Sequence, residues 1–400
     1  MSLSWLRVLL ILLPTAGLAA SSVTQGALPQ DAYVWQRQWT PALASALDRS
    51  ADLVRAWRVL AAQSDPAGRL RATAVDWPDL TATKRPVIPV IRIDGQLAQW
   101  DEGLLLADVR GVLRRWHESG LAIAGIEIDH DCATARLPAY ARFLTKLRAE
   151  FDEATPLSVT ALPAWLGSRE FDRVVAVTDE VVLQVHAVQD PRAGLFDAAA
   201  ALRWTEALGR RTGKPFRVAL PSYGTRVSRG EDGRIAAVES EVPLMVDPAS
   251  AVELMAAPQE VASLLHRLES ARPAQLAGIV WFRLPTDGDS RAWSLATWRA
   301  VIRGEALHAE IEAQAKAGGQ AGLSELMLVN AGDLDAELPR RVALPGGCGI
   351  ADGINGYGLA QADGRPVLER LQTGLLHGHH QQTIGWMRCG AGPGEIHVQP

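Results

Sequence analysis

Carboxylates recur at every second position of one short apolar run. Residues 122–132 read AIAGIEIDHDC, in which Glu127, Asp129 and Asp131 are separated by single isoleucine and histidine residues. Alternate side chains of a β-strand point to opposite faces, so the three acids would share one face. Acids this close together raise one another's pKa, because a neighbouring negative charge disfavours ionisation. Such a strand is typical of a site for proton transfer or metal binding.

Two other apolar runs carry polar side chains that could face the same space. Gln184 and His186 alternate on one run, so both could bind substrate hydroxyls, although a buried, hydrogen-bonded histidine is an equally common arrangement. Arg92 and Asp94 share one face of another run, where we expect Arg92 to form an ion pair that supports the acids. Residues of these types suit the recognition of a polar ligand.

The elements that must position these residues are apolar runs that alternate with helix-like stretches over residues 27–304. The runs lie at residues 32–36, 54–60, 86–93, 122–132, 157–162, 181–186, 216–220 and 277–282. Parallel strands need a crossover between them, and eight such units in about 250 residues are typical of a closed (β/α)8 barrel of the TIM type. An open doubly wound sheet is the alternative, but no glycine-rich phosphate loop follows the first run. The second unit is the least regular, since residues 51–62 also fit a continuous helix.

Three further segments depart from this order. Residues 225–245 have alternating arms around a Glu-Asp-Gly tip, which predicts a β-hairpin inserted on the active face of the barrel, either as a substrate wall or without function. Residues 305–322 predict a short charged helix followed by a glycine-rich linker. Residues 323–400 combine short apolar runs with glycine and proline turns, which predicts a small β-sandwich-like domain.

The charge and the N-terminal segment limit the partners and the compartment. The net charge is −5, so nothing indicates the basic face that nucleic acid or an anionic membrane requires. Residues 1–20 contain one arginine, a short apolar core and small residues at the end, which predicts a secretory signal peptide; an uncleaved anchor is the alternative. We therefore expect a periplasmic or secreted protein with no membrane span after cleavage.

The cysteines and a histidine cluster raise two further possibilities. Export makes a disulfide between Cys348 and Cys389 plausible, while Cys132 fits a small buried residue better than a nucleophile. A cluster of histidines at residues 377–380 resembles a metal site but lacks paired cysteines at ligand spacing, so an exposed polar loop is the preferred interpretation. We expect no metal and no cofactor.

Three motifs resemble those of the chitinase-type family 18 glycoside hydrolases. Residues 125–131 (GIEIDHD) are similar to the D-G-x-D-x-D-x-E signature on strand four of that family's barrel. Residues 220–224 (LPSYG) resemble its L-P-x-Y-G segment on strand seven, and residues 278–281 (GIVW) resemble the strand that carries its tryptophan floor. The whole chain, including residues 33–37, 91–95 and the C-terminal β-region, is also similar to an exported bacterial family with no assigned function.

The glycosidase resemblance implies that Asp131 is the general acid, Asp129 the carboxylate that orients a 2-acetamido group, and Glu127 a buried support. It implies that Tyr223 donates a hydrogen bond and that Trp281 stacks on the sugar, although an indole there could also be core packing. The expected substrate-binding residues are Tyr223, Trp281, Gln184, His186, Trp35 and Arg92.

The motif departs from the family at both ends. The family has glutamate where this chain has Asp131 and aspartate where it has Glu127, and the first acid of the signature is absent. One methylene moves a carboxyl by more than about 1 Å, which can cost roughly 100-fold in rate. Either the backbone compensates, or the activity has been lost or changed.

Three functions fit these residues. The first is acid-assisted hydrolysis of a bacterial or environmental glycan, and the second is glycan binding without catalysis on a degenerate glycosidase barrel. The third is metal-dependent hydrolysis, with the acids and His130 or His186 as ligands. The third is the weakest, because His130 should face away from the acids.

Overall fold

The computed structural model describes residues 26–97, 100–151, 154–186, 194–229, 235–239, 251–289, 291–320, 322–362, 364–372, 374–389 and 396–399, of which 229, 235–239 and 251 are described by their backbone. The predicted signal peptide at residues 1–20 and the predicted hairpin tip at residues 231–233 lie outside the described residues.

Eight parallel strands form the closed barrel that the sequence predicts. They are β1 (Gln30–Val34), β2 (Ala56–Ser64), β4 (Val87–Arg92), β5 (Ile126–Asp129), β6 (Leu157–Ala161), β7 (Glu180–Gln184), β8 (Phe216–Pro221) and β12 (Leu276–Phe282). The barrel closes because β1 pairs in parallel with both β2 and β12. A short strand, β3 (Leu70–Ala72), pairs antiparallel with the end of β2. The irregular second unit is therefore a strand and not a continuous helix.

Helices surround the barrel and cover its outer face. They are α1 (Pro41–Ser50), α2 (Trp77–Ala82), α3 (Glu102–Glu118), α4 (Leu137–Arg148), α5 (Glu170–Val177), α6 (Ala198–Arg211), α7 (Pro258–Ser270) and α8 (Leu295–Arg303), with 3₁₀ turns at Thr134–Arg136 and Pro163–Gly167. Side chains that accept a backbone N–H at the first turn begin several helices, as Asp101 does for α3 and Ser294 for α8. The outward residues of β5, Ile126 and Ile128, lie in the apolar layer between strands and helices.

The inner face of the barrel is charged instead of apolar near the end at which the parallel strands begin. Arg58 on β2 is completely buried and donates hydrogen bonds to Asp31 (3.1 Å) and Glu180 (2.6 Å) as well as to Glu127. Arg217 on β8 pairs with Glu180 at 2.9 Å. These ion pairs join β1, β2, β5, β7 and β8 across the interior.

An antiparallel sheet follows β8, where the sequence predicts an inserted hairpin. Strands β9 (Gly224–Arg229), β10 (Ile235–Glu239) and β11 (Ala251–Met255) pair in the order β10-β9-β11. The chain therefore adds a third strand to the predicted pair before it enters α7.

The predicted helix at residues 305–322 is wrong. Residues Ile311–Ala317 form strand β13, which pairs antiparallel with β14 (Leu323–Asn330). Ala, Glu, Gln and Lys favour helices, but in the sequence IEAQAKA the residues Ile311, Ala313 and Ala315 alternate and pack on an apolar core. Pairing and burial of one strand face outweigh the local helix propensity here.

The C-terminal region is built from antiparallel sheets. Its remaining strands are β15 (Ala336–Glu337), β16 (Arg341–Ala343), β17 (Cys348–Gly353), β18 (Tyr357–Ala362), β19 (Arg365–Arg370), β20 (Leu375–Leu376), β21 (Gln381–Cys389) and β22 (His397–Gln399). Two four-stranded sheets, β13-β14-β21-β17 and β18-β19-β16-β22, share one apolar core. The predicted disulfide between Cys348 and Cys389 joins β17 to β21. Among the described residues, no helix has both the length and the apolar character to span a membrane.

Candidate active site

The three acids lie where the alternation predicts, at and just beyond the carboxyl end of β5. The loop after β4 passes so close to them that a side chain at Gly95 could not fit, since its Cβ would lie 2.0 Å from the backbone oxygen of Asp131. The backbone around Asp131 is thereby fixed by the neighbouring strand loop. In TIM barrels this end of the strands carries the active site.

Glu127, the deepest acid, is a buried support. Its carboxylate accepts hydrogen bonds from the hydroxyls of Tyr33 (2.5 Å) and Ser158 (3.1 Å) and from the guanidinium of Arg58. Burial raises the pKa of Glu127. All of these partners lie on barrel strands, so Glu127 holds the strands together beneath the site. Its side chain is fully buried and therefore has no access to a ligand.

Asp129 occupies the middle position and is held from three sides. It accepts hydrogen bonds from Thr160 (2.7 Å), from the amide of Gln184 (3.4 Å) and from Nη1 of Arg92. Only 3% of its side chain is exposed. The ion pair expected between Arg92 and the acids is therefore present.

Asp131 is the acid that meets the solvent. Its side chain is 30% exposed, its Oδ1 accepts from the Gln184 amide at 3.1 Å, and its Oδ2 lies 3.6 Å from Nη1 of Arg92. Burial, with the negative charge of Asp129 beside it, raises the pKa of Asp131 to about 7. A carboxyl that is protonated near neutral pH and faces a cleft has the properties of a general acid.

The cleft has a volume of about 350 Å³ and an aromatic wall opposite the acids. Tyr33, Trp35, His186, Tyr223 and Phe282 form this wall, and their rings pack mainly edge to face. The hydroxyl of Tyr223 lies 3.3 Å from Nδ1 of His186, whose ring stacks on Phe282 with the centroids 5.2 Å apart. Burial lowers the pKa of His186 to about 4, so its imidazole is neutral at pH 7.

Trp281 is not part of the cleft, which corrects the expectation that it stacks on a sugar. Its side chain points outward from β12, is fully buried against Trp293 and Trp298, and donates its indole N–H to Gln30 at 2.8 Å. The next residue, Phe282, faces the cleft instead. Strand residues alternate between faces, so a shift of one residue exchanges the core side chain and the cleft side chain.

The other expected binding residues, Tyr223, Gln184, His186, Trp35 and Arg92, all line the cleft. The cleft residues that sequence reasoning missed include Tyr33, Thr160, Arg37 and Phe282. Thr160 had a signal in the sequence, because Ser158 and Thr160 are polar residues at alternate positions of an otherwise apolar run. In the structure both side chains contact the acids. Arg37 and Phe282 had none, since one lies beyond the end of β1 and the other reads as core.

Neither Cys132 nor His130 lines the cleft that contains Asp131. Cys132 is buried, and burial raises the pKa of its thiol to about 11, so the thiolate nucleophile is disfavoured. His130 points away from the acids, with Nδ1 on the Ile93 carbonyl oxygen at 3.0 Å. In the C-terminal region, His377 pairs with Asp335 and His379 pairs with Asp333. Within the part of the chain that the structure describes, no three His, Cys, Asp or Glu side chains converge as metal ligands.

Residues 83–287, which include the acids and most of the cleft, match the family described as "Domain of unknown function (DUF3142)" over slightly more than half of the chain. The chain belongs to this family. Residues 313–390 match a second family, "Domain of unknown function (DUF8456)". No curated protein gives a significant match.

Several solved structures are similar to this member of the DUF3142 family. The spore cortex-lytic enzyme SleL of Bacillus cereus is 13% identical over 71% of this chain and 75% of its own, with a TM-score of 0.49. A chitinase of Chromobacterium violaceum is 13% identical over 69% of this chain and 98% of its own, with a TM-score of 0.49. The GH18 chitinase ChiB of Flavobacterium johnsoniae is 11% identical over 69% and 93%, with a TM-score of 0.47. At these identities and TM-scores, no activity or residue role is transferred to this chain.

Proposed function

We propose that this protein hydrolyses a glycan of bacterial or environmental origin, with Asp131 as the general acid. One observation carries the proposal: the Asp131 carboxyl lines the cleft with a pKa raised to about 7, next to a second carboxylate that is held in place. Two carboxyl groups in different environments are the arrangement that glycoside hydrolysis requires.

In the proposed step, Asp131 donates its proton to the glycosidic oxygen while the bond from that oxygen to the sugar carbon breaks. Asp129 stabilises the positive charge that develops on the sugar, because its carboxylate lies beside Asp131 within reach of the same Gln184 amide. Water then adds to the sugar carbon, and its proton returns to Asp131. Where the sugar carries a 2-acetamido group, Asp129 would accept its N–H and Tyr223 would donate to its oxygen.

The aromatic wall supports the same function, because sugar rings pack their C–H faces on aromatic side chains while hydroxyls find polar groups at the rim. Trp35 and Phe282 supply the apolar face, and His186 supplies a buried ring nitrogen, Nε2, that has no hydrogen-bond partner among the described residues. A sugar hydroxyl would satisfy that nitrogen.

Export is part of the proposal. Residues 1–20 have the composition of a signal peptide, and the disulfide between Cys348 and Cys389 is typical of proteins that fold in an oxidising compartment. We place the reaction in the periplasm or outside the cell.

Glycan binding without turnover is the second candidate, and one observation favours it. Asp131 is one methylene shorter than the glutamate in the motif that it resembles, and it is already bonded to Gln184. A carboxyl that does not reach the glycosidic oxygen cannot protonate it, and the cleft would then bind the glycan without cleaving it.

The test is the release of a fluorogenic aglycone from a panel of β-linked glycosides and N-acetyl-oligosaccharides by the purified mature protein. Asp131→Asn should lower kcat by about 10²–10⁴-fold, which is the usual contribution of a general acid. Asp48→Asn is the matched control, because Asp48 is an exposed aspartate on α1 that does not line the cleft.

Asp131→Glu separates the two candidates further. If Asp131 is the working acid, the longer side chain misplaces the carboxyl and lowers the rate. If aspartate in place of the glutamate of the similar motif has abolished catalysis, the parent protein releases no aglycone and Asp131→Glu gains activity. Saturable oligosaccharide binding without release by any variant would reject the hydrolase.

A further inference from the structure

Arg92 uses one edge of its guanidinium for the acids and leaves the other open. Nη1 contacts both Asp129 and Asp131, whereas Nε and Nη2 donate no hydrogen bond within the described part of the chain. The side chain is 31% exposed and lines the cleft, with its guanidinium carbon 5.8 Å from the centroid of the Trp35 ring. Nε and Nη2 are the two donors that bind a carboxylate side-on through parallel hydrogen bonds.

A second arginine, Arg37, lies on the same side of the cleft as Arg92. Gln63 on β2 is the register partner of Arg92 on β4, and its amide oxygen accepts a hydrogen bond from Nη2 of Arg37 at 3.0 Å. Arg37 also lines the cleft. Two guanidinium groups therefore lie on the β1, β2 and β4 side of the cleft, opposite Gln184 and His186 on the β7 side.

The balance of charge in the cleft favours an anion. Among the described residues, its lining contains Arg37, Arg92, Asp129, Asp131, the neutral His186 and two tyrosines, Tyr33 and Tyr223. A general acid works in its protonated form, and in that form of Asp131 the one remaining carboxylate among the described lining residues is Asp129, which lies beside Arg92. Asp94, the other acid that acts on Arg92, is exposed and accepts a hydrogen bond from the backbone N–H of Gln96 at 2.8 Å.

We propose that the cleft selects a glycan whose sugar beside the acid pair carries a carboxylate, bound side-on by Nε and Nη2 of Arg92 with Arg37 at the rim. This inference rests on the proposed function and names its substrate class. A uronic acid and an aminosugar with a lactyl ether present the same chemistry, and the experiment separates them.

If Arg92 only neutralised Asp129 and Asp131, Nη1 would be sufficient, and Nε and Nη2 would have no role. Lysine at position 92 would supply one charge to the acids, but it lacks the planar pair of donors. Arg92→Lys therefore tests the side-on edge and not the charge.

The measurement is the Kd of the purified protein for paired acidic and neutral probes, by isothermal titration calorimetry at pH 6. One pair is a hyaluronan tetrasaccharide and its methyl ester, and the other is an N-acetylglucosamine–N-acetylmuramic acid oligosaccharide and its methyl ester. The acid of at least one pair should bind about 10-fold tighter than its ester, as expected for a charged bidentate contact, and this preference should weaken with added salt. The pair that shows the preference identifies the source of the carboxylate.

Variants are compared by the ratio of the two Kd values within each variant, which cancels general effects on the cleft. Arg92→Lys should bring the ratio close to one, and Arg37→Gln should lower it by less. Arg71→Gln is the control, because Arg71 is 75% exposed, pairs with Asp65 and does not line the cleft, so the ratio should not change.

Equal Kd values for acid and ester, or a ratio that Arg92→Lys leaves unchanged, would overturn the inference. Hydrolysis of neutral glycosides together with equal Kd values would overturn it while the proposed function stands. Acid-selective binding that depends on Arg92, without hydrolysis, would support the inference and reject the hydrolase. Failure to bind any of the four probes would overturn the selectivity outright.

Discussion

Three acids with the same spacing have different surroundings, and the roles that we propose for them follow from that difference. Glu127 is enclosed by barrel side chains, Asp129 is nearly enclosed, and Asp131 opens to the cleft. The sequence predicts the shared face but not this gradient, since exposure depends on side chains of β1, β2, β4, β6 and β7. At the scale of single residues, the environment determines which of the three acids can serve as the proposed general acid.

The pH dependence of the rate follows from Asp131. Its carboxyl has to carry a proton to donate one, so kcat/KM should fall about tenfold per pH unit above the raised pKa of about 7. A pH–rate profile between pH 5 and 9 on any hydrolysed glycoside measures this. A rate that stays level to pH 9 would remove Asp131 from the acid role.

The same group should affect stability. The folded state holds the Asp131 proton more tightly than the unfolded chain, in which the pKa is about 4, so stability falls as pH rises from about 4 to 7. Asparagine cannot ionise, so Asp131→Asn removes this pH-dependent loss of stability. At pH 8 it should be more stable than the parent by about 1 kcal/mol or more, and at pH 4 the two should match. Urea unfolding at both pH values tests this, and equal stabilities at pH 8 would contradict it.

Tyr223 tests the polar end of the aromatic wall. Tyr223→Phe keeps the ring contacts with His186 and Phe282 but removes the hydroxyl that lies 3.3 Å from Nδ1 of His186. Loss of one hydrogen bond of about 0.5–1.5 kcal/mol should lower kcat by roughly 2–12-fold with little change in the unfolding midpoint. An unchanged kcat would show that the hydroxyl has no part in the reaction.

At the scale of elements, the sequence predicted what periodicity encodes. The eight strands follow from apolar runs that alternate with helix-like stretches, and the face shared by the acids and the outward His130 follow from alternation along one strand. Trp281 and the segment at residues 311–317 were misread for different reasons. The first needed the register of β12 in the closed barrel, and the second needed the partner strand β14, and neither is a local property of the sequence.

The buried ion pairs that join the strands give an element-scale prediction. Arg58 is the common partner of Asp31, Glu127 and Glu180, so Arg58→Met leaves three carboxylates short of a donor and should cost about 3–5 kcal/mol. Arg55→Met is the matched control. Arg55 also binds Asp31 but is 43% exposed, so its loss should cost about 1 kcal/mol or less. Similar urea midpoints for the two variants would show that Arg58 is not the central partner.

At the scale of the whole molecule, the barrel and the C-terminal region meet through the first turn of α8. The carboxylate of Asp335, only 5% exposed, accepts hydrogen bonds from the backbone N–H of Ser294 (2.7 Å) and of Gly378 (2.9 Å). Thr297 strengthens the contact by donating its hydroxyl to the Asp333 carbonyl oxygen at 2.8 Å. One buried acid therefore connects a barrel helix to the C-terminal loops.

Asp335→Ala should weaken this connection by about 2–4 kcal/mol, because two backbone N–H groups lose their acceptor. We expect differential scanning calorimetry to resolve two transitions in place of a joint one. Asp333→Ala is the control, since the Asp333 side chain pairs with His379, which is 56% exposed, and should cost little. A single unshifted transition in Asp335→Ala would mean that other contacts join the two regions.

The same contact should depend on pH through His377. Its Nδ1 lies 3.2 Å from Asp335, and this carboxylate, with Asp287 and Asp289 nearby, raises the pKa of His377, while the His377 contact lowers the pKa of Asp335. A raised histidine pKa gives stability that is complete below about pH 6.5 and is lost as pH rises through the raised value. A lowered aspartate pKa gives stability that is lost only in acid, as pH falls through the lowered value. The parent protein should therefore lose stability between pH 6 and 8 relative to His377→Gln in urea unfolding, and parallel pH curves for the two proteins would exclude this contact as the cause.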